Sequence, residues 1–118
     1  MKVGATKTHL THNPIPYHIA MNLTTRLTVY TPAAMVKSLS ELLMNSGMVG
    51  GLTLKPGNAG LWVDGNGNIV EDNITLVEAY VGTRKVAASV ASAAETHLKE
   101  LGEQAVLTVI EDTTASIR

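Results

Sequence analysis

The residues best suited to chemistry lie between positions 60 and 78: Gly60-Leu61-Trp62, then Gly67-Asn68-Ile69-Val70-Glu71, with Asp72 and Glu78 following. Trp62 is the sole tryptophan of the chain. An indole beside a carboxylate suits a planar ligand that also donates hydrogen bonds. The ring stacks on a base or fills an interface, while Glu71 accepts from an amine, an exocyclic amino group or a ribose. The blander reading fits equally: Trp62 closes one end of the core and Glu71 is solvated. Glu78 alternates with the apolar positions of its run, where burial without a partner is costly. A place at a subunit interface is the alternative for it.

Other candidates are weaker. Gly47-Met48-Val49-Gly50-Gly51 contains a helix stop at Gly47, and the Gly50-Gly51 pair lets backbone N–H groups approach a phosphate. It lacks the Lys and Ser/Thr of a P-loop. Asp64-Gly65-Asn66-Gly67-Asn68 sets oxygens at alternate positions, as a calcium loop begins. However, the sixth position is Ile69 rather than Gly and the twelfth is Thr75 rather than Glu, so a hairpin turn explains it better. His9 and His12 stand three apart without a third ligand, and Pro14 and Pro16 argue against a helix there. They read as surface histidines, His18 as a polar-face residue of a strand, and His97 as a packing or surface residue. No metal site and no cofactor are implied. With no cysteine, disulfides, thiolate metal sites and a Cys nucleophile are excluded. No nucleophile–base pair stands out, which weighs against hydrolases but not against a lyase.

These residues need elements to hold them. Tyr17–Tyr30 alternates strictly: Tyr17, Ile19, Met21, Leu23, Leu27 and Val29 on one face, His18, Asn22, Thr24, Arg26 and Thr28 on the other. That is a long strand with one buried face. Thr31 as cap and Pro32 at the first helical position open a helix over Pro32–Ser46, with Met35, Val36, Leu39, Leu42 and Leu43 at helical spacing. A short strand follows at Leu52–Lys55, then a turn at Pro56-Gly57-Asn58. Gly60–Val63 and Asn68–Val70 flank Asp64-Gly65-Asn66-Gly67 as a hairpin. Ile74–Val81 reads as a central strand. Thr83 caps a second helix over Arg84–Leu101, its stripe made of Val86, Ala87, Val90, Ala91, Ala94, Leu98 and Leu101 and its end marked by Gly102. Ala105–Ile110 is the last strand. The domain expected is 17–112, preceded by an N-terminal arm at 1–16 and followed by a loose tail at 113–118. The order is that of an α+β, ferredoxin-like split βαβ (βαββαβ) sandwich with a hairpin insertion between the middle strands.

Composition narrows the class further. The 118 residues suffice for one domain. At 45% hydrophobic and 16% charged the chain is no disordered polyelectrolyte, and without Phe its core must be aliphatic. Nine basic residues against ten acidic ones are scattered, so no basic stripe for nucleic acid exists. No signal peptide and no apolar run of about 20 residues is visible, so neither secretion nor a membrane partner is expected and the cytoplasm is the default compartment.

In element order over Tyr17–Asp112, with its long first strand and loop-hairpin between the middle strands, the chain resembles the PII-like and CutA-like group of small ferredoxin-fold proteins. It is also loosely similar to phage S-adenosylmethionine lyases in the Gly60–Trp62 hairpin, in Glu71 just before a strand, and in the Ala-rich helix leading to Glu103-Gln104-Ala105-Val106-Leu107-Thr108-Val109. Where such an enzyme would carry a hairpin tyrosine, this chain has Trp62. The resemblance implies a homotrimer with an adenosine-type ligand between subunits, and the residues read here as binding that ligand are Trp62, Gly50, Gly51, Gly60 and Glu78. If the chain is an enzyme, the resemblance implies a lyase yielding methylthioadenosine and homoserine lactone, with Glu71 as the catalytic residue holding the substrate's polar groups. A third reading is a purely structural, oligomer-forming protein.

Overall fold

Local rules at proline and glycine positions and the strand ladders together decide where the elements stop. The computed structural model describes residues 21–117; the 1–16 arm, His9, His12, His18 and the expected first residues of the opening strand lie outside them. In order come β1 (Met21–Pro32), a 3-10 turn (Ala33–Met35), α1 (Val36–Asn45), β2 (Gly51–Val63), β3 (Ile69–Val81), α2 (Arg84–Glu100) and β4 (Thr108–Ile117). The strands form one sheet in the order β2-β3-β1-β4, every neighbouring pair antiparallel. Both helices cover the same face. This is the ferredoxin-like arrangement expected from the element order.

The core lies between that face and the helices. Leu27 and Val29 of β1, Val77, Ala79 and Val81 of β3, Leu39 and Leu43 of α1, and Ala87, Val90, Ala94 and Leu98 of α2 are all buried in one cluster. Each is aliphatic, and the alanines let α2 lie close to the sheet. Removing a whole Leu from such a cluster costs about 2–5 kcal/mol.

Helix boundaries follow capping chemistry, with one correction. Thr31 does not cap a helix and Pro32 does not begin one. Thr31 is fully buried and its hydroxyl donates to the Val29 carbonyl at 3.0 Å. Pro32 is the last residue of β1, extended at φ −54°, ψ 135°. The residue before a proline is pushed out of the helical region, so the strand runs through Thr31 and the helix waits for Val36. Thr83 does cap α2, its Oγ1 accepting from Val86 N at 3.1 Å. At the other end Gly102 takes φ 111°, and Glu103 N donates to Leu98 O while Gly102 N donates to Lys99 O. That double closure is a Schellman motif, which needs a residue free of Cβ strain at Gly102.

The middle of the chain differs more. There is no separate short strand plus inserted hairpin. β2 and β3 are each 13 residues and pair with each other from Gly51↔Tyr80 to Val63↔Ile69. The expected turn at Pro56-Gly57-Asn58 is an irregularity in that ladder: the register shifts between Lys55 and Asn58, Gly57 sits at φ 80°, and Asn58 Nδ2 donates to Lys55 O at 2.8 Å. The chain kinks without reversing. Because β2 is an edge strand, Pro56 can sit there without breaking an interior ladder. At the far end the true reversal is Asp64–Asn68. Asp64 Oδ1 accepts from Asn66 N at 2.8 Å and Asn68 N at 2.9 Å, and Gly67 is at φ 82°. The Asp64 carboxylate therefore folds the turn.

The C-terminus differs too. β4 begins at Thr108 rather than Ala105, and residues 113–117, expected as a loose tail, are strand. They pair with the start of β1, Met21↔Ile117 through Leu23↔Ala115. The stretch is too poor in apolar residues to announce itself, and its order comes from backbone pairing with a strand about 90 residues away in sequence.

Candidate functional site

Among the described residues, both helices pack on one face of the sheet and none on the second. Alternation along β3 puts Val77, Ala79 and Val81 into the core, so Ile74, Leu76, Glu78 and Tyr80 face the other way. Glu78 lies between Thr28 of β1 and Thr53 of β2 in the ladder. Its Oε2 meets Lys55 Nζ at 3.2 Å, with 8% of the Glu78 side chain exposed against 55% of Lys55. Glu78 is thus buried and paired, which removes the cost of an orphan carboxylate. Alongside it, Arg26 Nη2 donates to Glu111 Oε1 at 2.9 Å. The bond and charge of Glu111, helped by Tyr80, hold the guanidinium above its ordinary pKa.

Beyond the body the β2–β3 ribbon continues. Its ladder pairs Gly60↔Asp72, Leu61↔Glu71, Trp62↔Val70 and Val63↔Ile69. Leu61, Val63 and Ile69 are 65%, 71% and 73% exposed, and Trp62 and Val70 are 36% and 39% exposed. Apolar side chains therefore occupy both faces of the ribbon, and all five are exposed. Single exposed hydrophobics are ordinary; a contiguous set on a projecting hairpin marks a surface built to be covered. The Trp62 indole lies across Gly60. A Cβ placed on Gly60 would stand 3.3 Å from Trp62 Nε1 and Cζ2 and 2.7 Å from Ile74 Cγ1.

The candidate residues do not converge within one chain. Trp62 shares a ribbon face with Gly60, whereas Glu71 is one position out of phase and points to the opposite face. Glu78 lies eight residues along β3 from the Trp62 partner Val70, about 26 Å at strand spacing. Gly50 and Gly51 sit farther still, opposite Tyr80. The Gly50 amide is committed, donating to Tyr80 O at 2.8 Å, and no atom lies within 4 Å of a Cβ built on Gly51.

On the helix layer, Ser38 Oγ of α1 and His97 Nε2 of α2 are 2.8 Å apart. The pair lies 59 positions apart in sequence, so only the packing of two antiparallel helices reveals it. Next to it an apolar groove of about 270 Å³ runs between the helices, lined by Leu42, Asn45, Ser46, Met48, Val90 and Ala93. Among the described residues no cluster of three His, Asp or Glu could hold a metal ion, and no helix is long and apolar enough to cross a membrane.

No protein-family model matches the sequence. No curated protein is detectably similar to it. Solved structures are. A nitrogen regulatory PII-like protein from Thiomonas intermedia K12 shares 15% identity over 83% of this chain and 96% of its own, at a TM-score of 0.60; the same protein has been solved bound to ADP, AMP and bicarbonate. A phage SAM lyase in complex with S-methyl-5'-thioadenosine shares 15% identity over 81% of this chain and 88% of its own, also at 0.60. CutA1 from Oryza sativa shares 11% over 81% and 84%, at 0.57. The chain has the fold common to these proteins.

Proposed function

We propose that this chain is a PII-like oligomer, a homotrimer, that holds an adenosine-type small molecule between its subunits. The observation that carries the reading is the projecting hairpin, apolar on both faces, with the sole tryptophan among its exposed residues. Two of the fold neighbours were solved with adenosine compounds, ADP and AMP in one and S-methyl-5'-thioadenosine in the other. Trp62 stacks on the base. Because Glu71 points away from Trp62, a site that uses both takes them from two copies.

The second reading, an S-adenosylmethionine lyase, is favoured by the modest demands of that reaction. The substrate's own carboxylate oxygen attacks the carbon bonded to sulfur. The C–S bond breaks, its electron pair returns to the sulfonium, and methylthioadenosine leaves while the lactone closes. No protein nucleophile is needed, only orientation and electrostatics. Glu71 holds the amino group of the substrate.

One experiment separates the readings: the protein is mixed with S-adenosylmethionine and with ATP, with binding followed by calorimetry and products by chromatography. Heat without product supports the binding module. Product that disappears in Glu71→Gln supports the lyase. Neither heat nor product overturns both and leaves a structural oligomer.

A further inference from the structure

We infer that Gly60 is a positioning residue, which lets the Trp62 indole lie across the strand backbone at position 60 and thereby presents the ring to a planar aromatic ligand. The inference deepens the adenosine-type reading above and rests on it for the ligand class, while the positioning itself rests on geometry alone. Gly60 has no positive φ to explain it, unlike Gly57 and Gly67 on the same ribbon. What it has is a crowded site: a Cβ would meet Ile74 Cγ1 at 2.7 Å, closer than side-chain atoms approach, and the indole at 3.3 Å. Ile74 cannot yield cheaply, being 3% exposed and stiff at χ1. An alanine at 60 must therefore push on both neighbours, and the half-open indole is the freer of the two.

A glycine beneath an aromatic ring on a strand is a recognised pairing, in which the ring covers the backbone that glycine leaves bare. Here it has a consequence for recognition. The ring is held by contact on one side before any ligand arrives, so little rotamer entropy is lost when a base stacks on the other. Val70, the cross-strand partner of Trp62, is on the same face of the ribbon and is 39% exposed, which extends the apolar surface.

Because Trp62 is the only tryptophan, its fluorescence reports the platform with no label. The test compares emission and acrylamide quenching of the full chain, Gly60→Ala, and the control Gly65→Ala, where an added Cβ meets nothing within 4 Å. Gly60→Ala is expected to red-shift emission and strengthen quenching, the control to match the wild type, and Gly60→Ala/Ile74→Ala to move back toward it. Unchanged emission and quenching in Gly60→Ala overturns the inference. If Gly60→Ala loses its cooperative thermal transition, the double variant decides: restored emission supports the inference, and wild-type-unlike emission overturns it. Titration with ATP and S-adenosylmethionine follows, with Gly60→Ala weakening the bound ligand about tenfold, near the upper end of what one aromatic contact is worth. A wild type that binds neither ligand, alongside a shifted Gly60→Ala spectrum, removes the adenosine reading and leaves the positioning role standing. Equal affinity in wild type and Gly60→Ala overturns the recognition role.

Discussion

At the scale of single residues, burial with a partner is what distinguishes Glu78 from the other carboxylates. Its pair with Lys55 combines a nearly buried acid with a half-exposed base. The worth of the pair therefore sits between that of a surface ion pair and a fully buried one. Lys55→Ala is expected to destabilise the fold by about 1 kcal/mol, and Glu78→Gln added to it should recover part of the loss. Urea unfolding of the four-member cycle measures this; a zero coupling energy would show that the carboxylate finds another partner. That Glu78 needed a partner followed from its alternation with apolar neighbours. Which residue supplies it did not, because Lys55, the ladder partner of Leu76, is brought diagonally alongside Glu78 only by the β2–β3 register. Likewise Ser38 and His97 carry no sequence signal of their pairing.

At the scale of elements, capping and turn chemistry were readable wherever the signal is local. Thr83 and Gly102 bound α2 as their side-chain chemistry dictates. Thr83→Ala should cost about 1 kcal/mol, and a loss of that size lowers Tm by about 4–8 °C in a domain of this length. Gly102→Ala, forced into φ 111°, should cost about 1 kcal/mol as well. Thermal melts of each variant followed by far-ultraviolet circular dichroism check both. Thr31-Pro32 misleads because the same two residues suit a helix start and a strand end. The choice is made by eight ladder pairs between β1 and β3, which reach as far as Pro32↔Ile74. Pro56-Gly57 misleads for a related reason: a turn signal inside an edge strand becomes a bulge when pairing resumes beyond it.

At the scale of the whole molecule, the long axis of 52 Å against 29 and 25 Å is set by the ribbon that β2 and β3 extend past the helices. The exposed apolar side chains of that ribbon are surface that other copies can cover. Light scattering is expected to show an oligomer of three chains. Replacing Leu61, Val63 and Ile69 together with Ser should shift it toward monomer while the helical signal persists, since none of the three contributes to the buried core. An unshifted mass would place the interface elsewhere, and a monomeric wild type would overturn the intersubunit site.

Length, aliphatic composition and the periods of the apolar residues were enough to determine the fold class, the two helices and the faces of β1, α1 and α2 that turn inward, because each of those depends on residues within a turn or two of one another. The exception is Leu101, which lies at the end of α2 and is 44% exposed. The poverty of aromatics also singled out Trp62. Tertiary structure alone decided that β2 and β3 are one continuous ribbon, that residues 113–117 are strand, and that Trp62 and Glu71 point apart. The physical reason is common to all three: strand pairing joins residues far apart in sequence, and a shift of one position in register sends a side chain to the opposite face.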